Sequence, residues 1–141
     1  MAELQVELVA AEGRVWSGPA TMVVARTTEG EIGILPGHES VLALLASGPV
    51  TVDSSDETVR VAVHGGFLSV AGDNVSILAE VAERAEDIDA QRAEQALTRA
   101  GDDGDEAARR RAETRLLVAG ARAAEPRVPS RAADAPAAGA R

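Results

Sequence analysis

Up to Val81 the apolar residues of this chain recur with a period close to two, and beyond Asp87 they recur with the period of a helix. The first pattern is plainest at the start, where Leu4, Val6 and Leu8 alternate with Gln5 and Glu7, as in a strand with one buried face. It returns in Val50 and Val52 around Thr51, in Val59, Val61 and Val63 around Arg60 and Ala62, and in Val75 and Ile77 around Ser76. Turn-forming clusters separate these runs. Ser54-Ser55-Asp56-Glu57 and Ala71-Gly72-Asp73-Asn74 are the natural hairpin tips, and Gly13, Gly18-Pro19 and Ser47-Gly48-Pro49 punctuate the rest. Short strands at this spacing, with no helix-length crossover among them, predict a β-sandwich or flattened barrel of mostly antiparallel strands over residues 1–85.

The second pattern predicts an antiparallel hairpin of two helices over residues 86–121, which makes the whole chain α+β. Asp87 caps a first helix running to about Ala100, with Ile88, Ala93, Ala96, Leu97 and Ala100 on one face. Gly101-Asp102-Asp103-Gly104 stops it. Asp103 and Glu106 then imitate a capping box and open a second helix to about Ala119, with Ala108, Ala112 and Leu116 as its stripe. Each arm is about 14 residues, or ~21 Å, and its stripe is mostly alanine. Such a stripe buries little area, so at about 25 cal/mol per Å2 its docking is weak and other arrangements come within reach. Residues 122–141, with Pro126, Pro129, Pro136 and many alanines, carry no sustained stripe and read as a disordered tail.

One segment departs from both patterns. Gly30-Glu31-Ile32-Gly33-Ile34-Leu35-Pro36-Gly37-His38 reads as a short buried strand that breaks into a tight turn. Its glycines open conformations closed to other residues, and Pro36 fixes its own φ while restricting Leu35, so the backbone shape is closely specified and suits a partner-facing surface.

Composition narrows the field. Trp16 and Phe67 are the only aromatics, so the core must be Val, Ile, Leu and Ala, and without cysteine there is neither a disulfide nor a thiolate metal site. No window approaches 18 uncharged apolar residues, and Glu3 and Glu7 stand where a signal peptide would be basic, so the expected location is cytosolic or peripheral. A net charge of −9 argues against a nucleic-acid surface. The charge is uneven: residues 1–85 hold 12 acidic residues and 4 arginines, and residues 86–141 hold 11 and 10. Two regions with different tasks follow from that division.

Several groupings invite chemistry. His64-Gly65-Gly66 is similar to the oxyanion-hole glycines of lipases, but no G-x-S-x-G accompanies it, and a bulge or tight bend between strands explains the pair. His38 and His64 lack a spaced carboxylate set for zinc and read as structural or interface residues. Asp102, Asp103 and Asp105 miss the register of a calcium loop, and the acidic run Glu80, Glu83, Glu86, Asp87 and Asp89 reads as a solvated linker. A stand-alone ligand-binding sandwich would be expected to line a groove with aromatics, of which there are too few.

Taken in order, GEIGILPGH, HGGFLSV (residues 64–70), NVSILAE and EDIDAQRA closely resemble the epsilon subunit of F-type ATP synthases, over residues 3 to about 120. The resemblance implies a non-catalytic part of the rotor, peripheral to the cytoplasmic face of a bacterial membrane and touching that membrane only through the complex. Its implied partners are the gamma subunit and the c-ring, with Gly30, Glu31, Gly33, Pro36, Gly37 and His38 at the shared surface. It further implies a hairpin that restrains ATP hydrolysis when extended toward the catalytic alpha and beta subunits, through Arg109, Arg110, Arg111 and Arg115. Ile88-Asp89-Ala90-Gln91-Arg92-Ala93 matches the family's I-D-x-x-R-A pattern, which implies no resident cofactor but a regulatory ATP site of Glu83, Ile88, Asp89, Arg92 and Ala93.

Overall fold

The computed structural model describes residues 2–124. Ten strands come first: β1 (Leu4–Ala10), β2 (Gly13–Ala20), β3 (Met22–Thr27), β4 (Gly30–Ile34), β5 (Val41–Leu45), β6 (Gly48–Asp53), β7 (Thr58–Val63), β8 (Gly66–Ala71), β9 (Asn74–Ala79) and β10 (Ala82–Arg84). A single 3-10 turn, Ala85–Asp87, leads to the helices α1 (Ala90–Asp103) and α2 (Glu106–Ala124). Hydrogen bonding links the strands in the order β10-β7-β6-β3-β5-β8-β9-β1-β2, with β4 paired on β3. All of these pairings are antiparallel except β1 with β9.

The sheet folds over at β3, which pairs with β6 along Met22–Val24 but meets β5 only through Thr27 and Leu45. The two layers then share one core. Leu4, Val6 and Leu8 from one layer and Val50, Val52, Val61 and Val63 from the other are almost wholly buried there. The alternation of the sequence therefore maps directly onto an inner and an outer face.

Two turns show why particular residues are needed. Gly72 and Asp73 both adopt positive φ, 56° and 67°, as a two-residue hairpin turn between right-twisted strands requires. Gly66 opens β8 at φ 132°, and a Cβ there would lie 2.0 Å from the Leu78 carbonyl oxygen. The Gly65-Gly66 pair is thus the tight bend between β7 and β8 that the sequence suggested.

Other expectations need correction. The segment 30–38 is an edge strand and not a buried one: β4 pairs only with β3, and of its residues only Ile34 is fully enclosed. Gly18-Pro19 lies within β2, where an edge strand tolerates a residue that donates no hydrogen bond. The first helix is capped by Asp89, whose carboxylate accepts from Arg92 N–H at 3.1 Å, while Asp87 ends the 3-10 turn. It also runs through Gly101 to Asp103 and stops at Gly104, which takes the left-handed conformation at φ 67°. Asp105, and not Asp103, caps α2 by accepting from Ala108 N–H. Finally α2 passes Gly120 and reaches Ala124, so it enters the segment read as a tail; residues 125–141 lie outside the described part.

Candidate functional site

β7 is buried on both faces. Val59, Val61 and Val63 point into the sandwich, whereas Ala62 points outward into a small apolar cluster with Ala85, Val118 of α2 and half-buried Ile88. A side chain as small as alanine is what lets a helix approach a sheet this closely. The hairpin therefore lies on the outer face of β6 and β7.

Beside this apolar contact sits a polar one. His64, the residue that follows β7, is 6% exposed. Its Nε2 lies 3.1 Å from Glu83 Oε1 on β10, and its Nδ1 lies 2.9 Å from Ser47 Oγ in the turn before β6. Ser47 Oγ in turn lies 3.3 Å from Thr114 Oγ1, a buried hydroxyl on α2, and Arg115 Nε donates to Glu83 Oε1 at 2.7 Å. Two residues of the hairpin and three of the sandwich thus form one hydrogen-bonded cluster. Burial holds the His64 imidazole below its ordinary range, and the neighbouring Arg115 and Arg111 add to that, against the opposing pull of Glu83. Burial pushes the Glu83 carboxyl upward, but hydrogen bonds from Arg115 and His64 outweigh it and leave the group below its ordinary range.

On the opposite layer the outer face has no such cover among the described residues. Leu44, Phe67 and Leu78 stand directly across from one another on β5, β8 and β9, and all three are about half exposed. Leu42, two positions along β5 on the same face, is 74% exposed. Leu44, Phe67 and Leu78 line, together with Gly65 and Gly66, a groove of about 460 Å3. An apolar row of this length on a solvent face marks a docking surface.

The turn that ends the 30–38 segment is fixed from a distance. His38 N–H donates to Leu35 C=O at 3.1 Å, and Gly37 N–H donates to the Asp73 carboxylate at 2.7 Å, which ties this turn to the β8–β9 turn. Glu31 is exposed and stands opposite Arg26 across the β3–β4 pair. Gly30, Gly33 and Gly37 are exposed too, with Pro36 and His38 partly covered.

The residues of the I-D-x-x-R-A match have structural tasks of their own. Ile88 and Ala93 are packed, Asp89 caps α1, and Arg92 is exposed. Glu83 is already held by His64 and Arg115. Of the four α2 arginines singled out, Arg109 pairs with Glu106 and Glu113 along the helix, and Arg110 is the most exposed. Arg115 faces the sandwich. Among the described residues no group of three His, Cys, Asp or Glu side chains is placed to hold a metal, and no helix is long and apolar enough to cross a membrane.

A folded-over β-sandwich that carries a lightly packed helical hairpin on one layer and a bare apolar row on the other is the build of a subunit that docks on another protein. Residues 3–85 match the family described as ATP synthase, Delta/Epsilon chain, beta-sandwich domain. The ATP synthase epsilon chain of Streptomyces avermitilis is 61% identical over 122 residues, which is 86% of this chain and 98% of that relative. That of Rhodococcus jostii is 57% identical over 105 residues, 73% of this chain and 86% of the relative. Among solved structures, a chain in the Euglena gracilis mitochondrial ATP synthase, comprising OSCP, F1 and the c-ring, superposes with a TM-score of 0.68. It is 28% identical and the match covers 85% of this chain and 79% of that one. A chain in the central stalk and c-ring structure of the Tetrahymena thermophila mitochondrial ATP synthase shares the fold, at a TM-score of 0.54 and 16% identity over 60% of this chain and 69% of that one. The chain belongs to the ATP synthase epsilon family.

Sequence reasoning singled out the turn at residues 30–38 but missed the row of Leu42, Leu44, Phe67 and Leu78. A signal was present: Val41-Leu42-Ala43-Leu44-Leu45 is apolar at every position, which means a strand covered on both faces, and only one of them is covered by the described residues. Ser47 and Thr114 gave no signal, since hydroxyls far apart in sequence meet only once the hairpin is laid down.

Proposed function

We propose that this chain is a non-catalytic subunit of the central stalk, carrying rotation of a membrane c-ring to the catalytic head of a bacterial ATP synthase on the cytoplasmic side. The row Leu44, Phe67 and Leu78 is the surface for the gamma subunit, because it is the bare apolar face left after the hairpin has covered the other layer. The exposed Glu31, on an edge strand whose following turn is pinned by Asp73, meets polar and basic groups of the ring loops. Arg109, Arg110, Arg111 and Arg115 engage the alpha and beta subunits when the hairpin leaves the sandwich, and so restrain ATP hydrolysis. ATP is the ligand the Asp89 and Arg92 segment takes while the hairpin is folded; millimolar ATP then shifts the NMR signals of both residues, and unmoved signals refute it.

The stalk reading is tested by co-purification. Gamma and c-ring are expected to be retained by the full chain, and Leu44→Asp with Phe67→Ser to lose gamma at unchanged thermal stability of the free chain. Retention of gamma by that double variant refutes the assignment of the row.

A further inference from the structure

The cluster around His64 has a direction. Glu83 is ionised near neutral pH and accepts at Oε1 from both Arg115 and His64, which assigns the proton of a neutral imidazole to Nε2. Nδ1 is then an acceptor, so Ser47 must donate to it, and the remaining lone pairs of Ser47 Oγ are left to accept from Thr114. Every hydrogen bond in the chain from Thr114 to Glu83 is satisfied in this single order. It joins α2 to β10, to the turn before β6 and to the residue that follows β7.

A proton added at Nδ1 disturbs that order twice. Ser47 can no longer donate to the ring, so it accepts from it and turns its hydroxyl toward Thr114, which reverses the Ser47–Thr114 contact and obliges the Thr114 hydroxyl to find a new acceptor. The ring also becomes a cation within an enclosed site where Arg115 and Arg111 of α2 already face it, and among the described residues Glu83 is the one carboxylate with a bond to it. Like charges are costly where water is excluded. Undocking α2 takes Arg111, Thr114 and Arg115 away together and opens His64 to water, while Glu83, which belongs to the sandwich, stays beside the ring.

We propose that His64 makes docking of the helical hairpin sensitive to protonation, the neutral imidazole holding α2 on the sandwich and the imidazolium releasing it. This goes beyond the stalk reading and applies to the free chain, so its failure and the failure of that reading are separable. The sign follows from the direction of the shift. A group whose value is depressed in the docked state contributes stability that is present above its value in the undocked state and is lost as pH falls through the docked one. Glu83 adds a second loss of the same sign, below the ordinary carboxylate value of 4.5.

The absence of cysteine offers the measurement. Val118 is 1% exposed beneath α2, whereas its neighbour Leu117 is 53% exposed. In single-cysteine variants Val118→Cys and Leu117→Cys, the ratio of their labelling rates by a small thiosulfonate reports the undocked fraction and cancels the pH dependence of the thiol itself. Uptake of one linked proton raises this ratio by at most about tenfold per pH unit as pH falls between about 7 and 5. With His64→Gln added, the ratio is expected to be flat. A flat profile in the parent, or a rise that persists with His64→Gln, overturns the proposal. Should His64→Gln not fold, His64→Asn serves: it too removes the titrating ring and is expected to flatten the slope, and a slope unchanged from the parent also overturns the proposal.

Discussion

The two interfaces of β7 are built from different materials. Its inner side meets a continuous core of Leu, Ile and Val from both layers of the sandwich, while its outer side meets a helix through Ala62, Ala85, Val118 and Ile88. Alanine offers a fraction of the area of leucine, so the inner contact is cooperative and the outer one is marginal. To that small apolar contact the hairpin adds the five-residue polar cluster. Polar contacts of that kind specify a position more than they strengthen it.

Substitutions should separate the two sides, and the largest effect belongs to the core. Leu68→Ala, at a wholly buried position, is expected to cost about 2–5 kcal/mol in denaturant unfolding followed by sheet signals. Gly66→Ala follows, because the added Cβ has a backbone oxygen in its path at a φ that disfavours any side chain. A loss of about 1–3 kcal/mol from the conformation alone is expected, with the clash added. Arg115→Ala should leave sandwich unfolding unchanged and weaken hairpin docking by about 1 kcal/mol, the modest worth of a partly solvated pair. Thiol labelling at position 118 reads this as a roughly fivefold rise. Smallest is Asp73→Asn, which keeps a side chain that tolerates the positive φ at this position but replaces the carboxylate that Gly37 N–H donates to by a neutral amide oxygen, and is expected to cost about 0.5 kcal/mol in the sandwich. A sandwich loss from Arg115→Ala as large as that from Leu68→Ala would erase the distinction.

Much of this division is written in the sequence. The alternation at Leu4, Val6 and Leu8 and at Val59, Val61 and Val63 names the inner face correctly because a strand has a strict period. Helix ends were less legible. Three aspartates crowd residues 102–105, each able to cap, and the choice of Asp105 rests on Gly104 taking the left-handed turn just before it. The strand at residues 30–34 carries an apolar pattern that looks buried, yet strand order decides exposure, and order is not a local property. For the same reason the polar cluster was invisible: residues 47, 64, 83, 114 and 115 share nothing until the fold is complete.

The double burial of β7 also places two sets of constraints on adjacent letters of one short sequence. Val61 and Val63 answer to the sandwich, and Ala62 directly and His64 through Ser47 and Glu83 answer to the hairpin. A lineage that shed its helices would be free to change the even positions at once, replacing Ala62 with a long or charged residue while the valines stayed. The small residue at position 62 is thus a written record that a helix rests there, and it can be read in any relative before a structure is known.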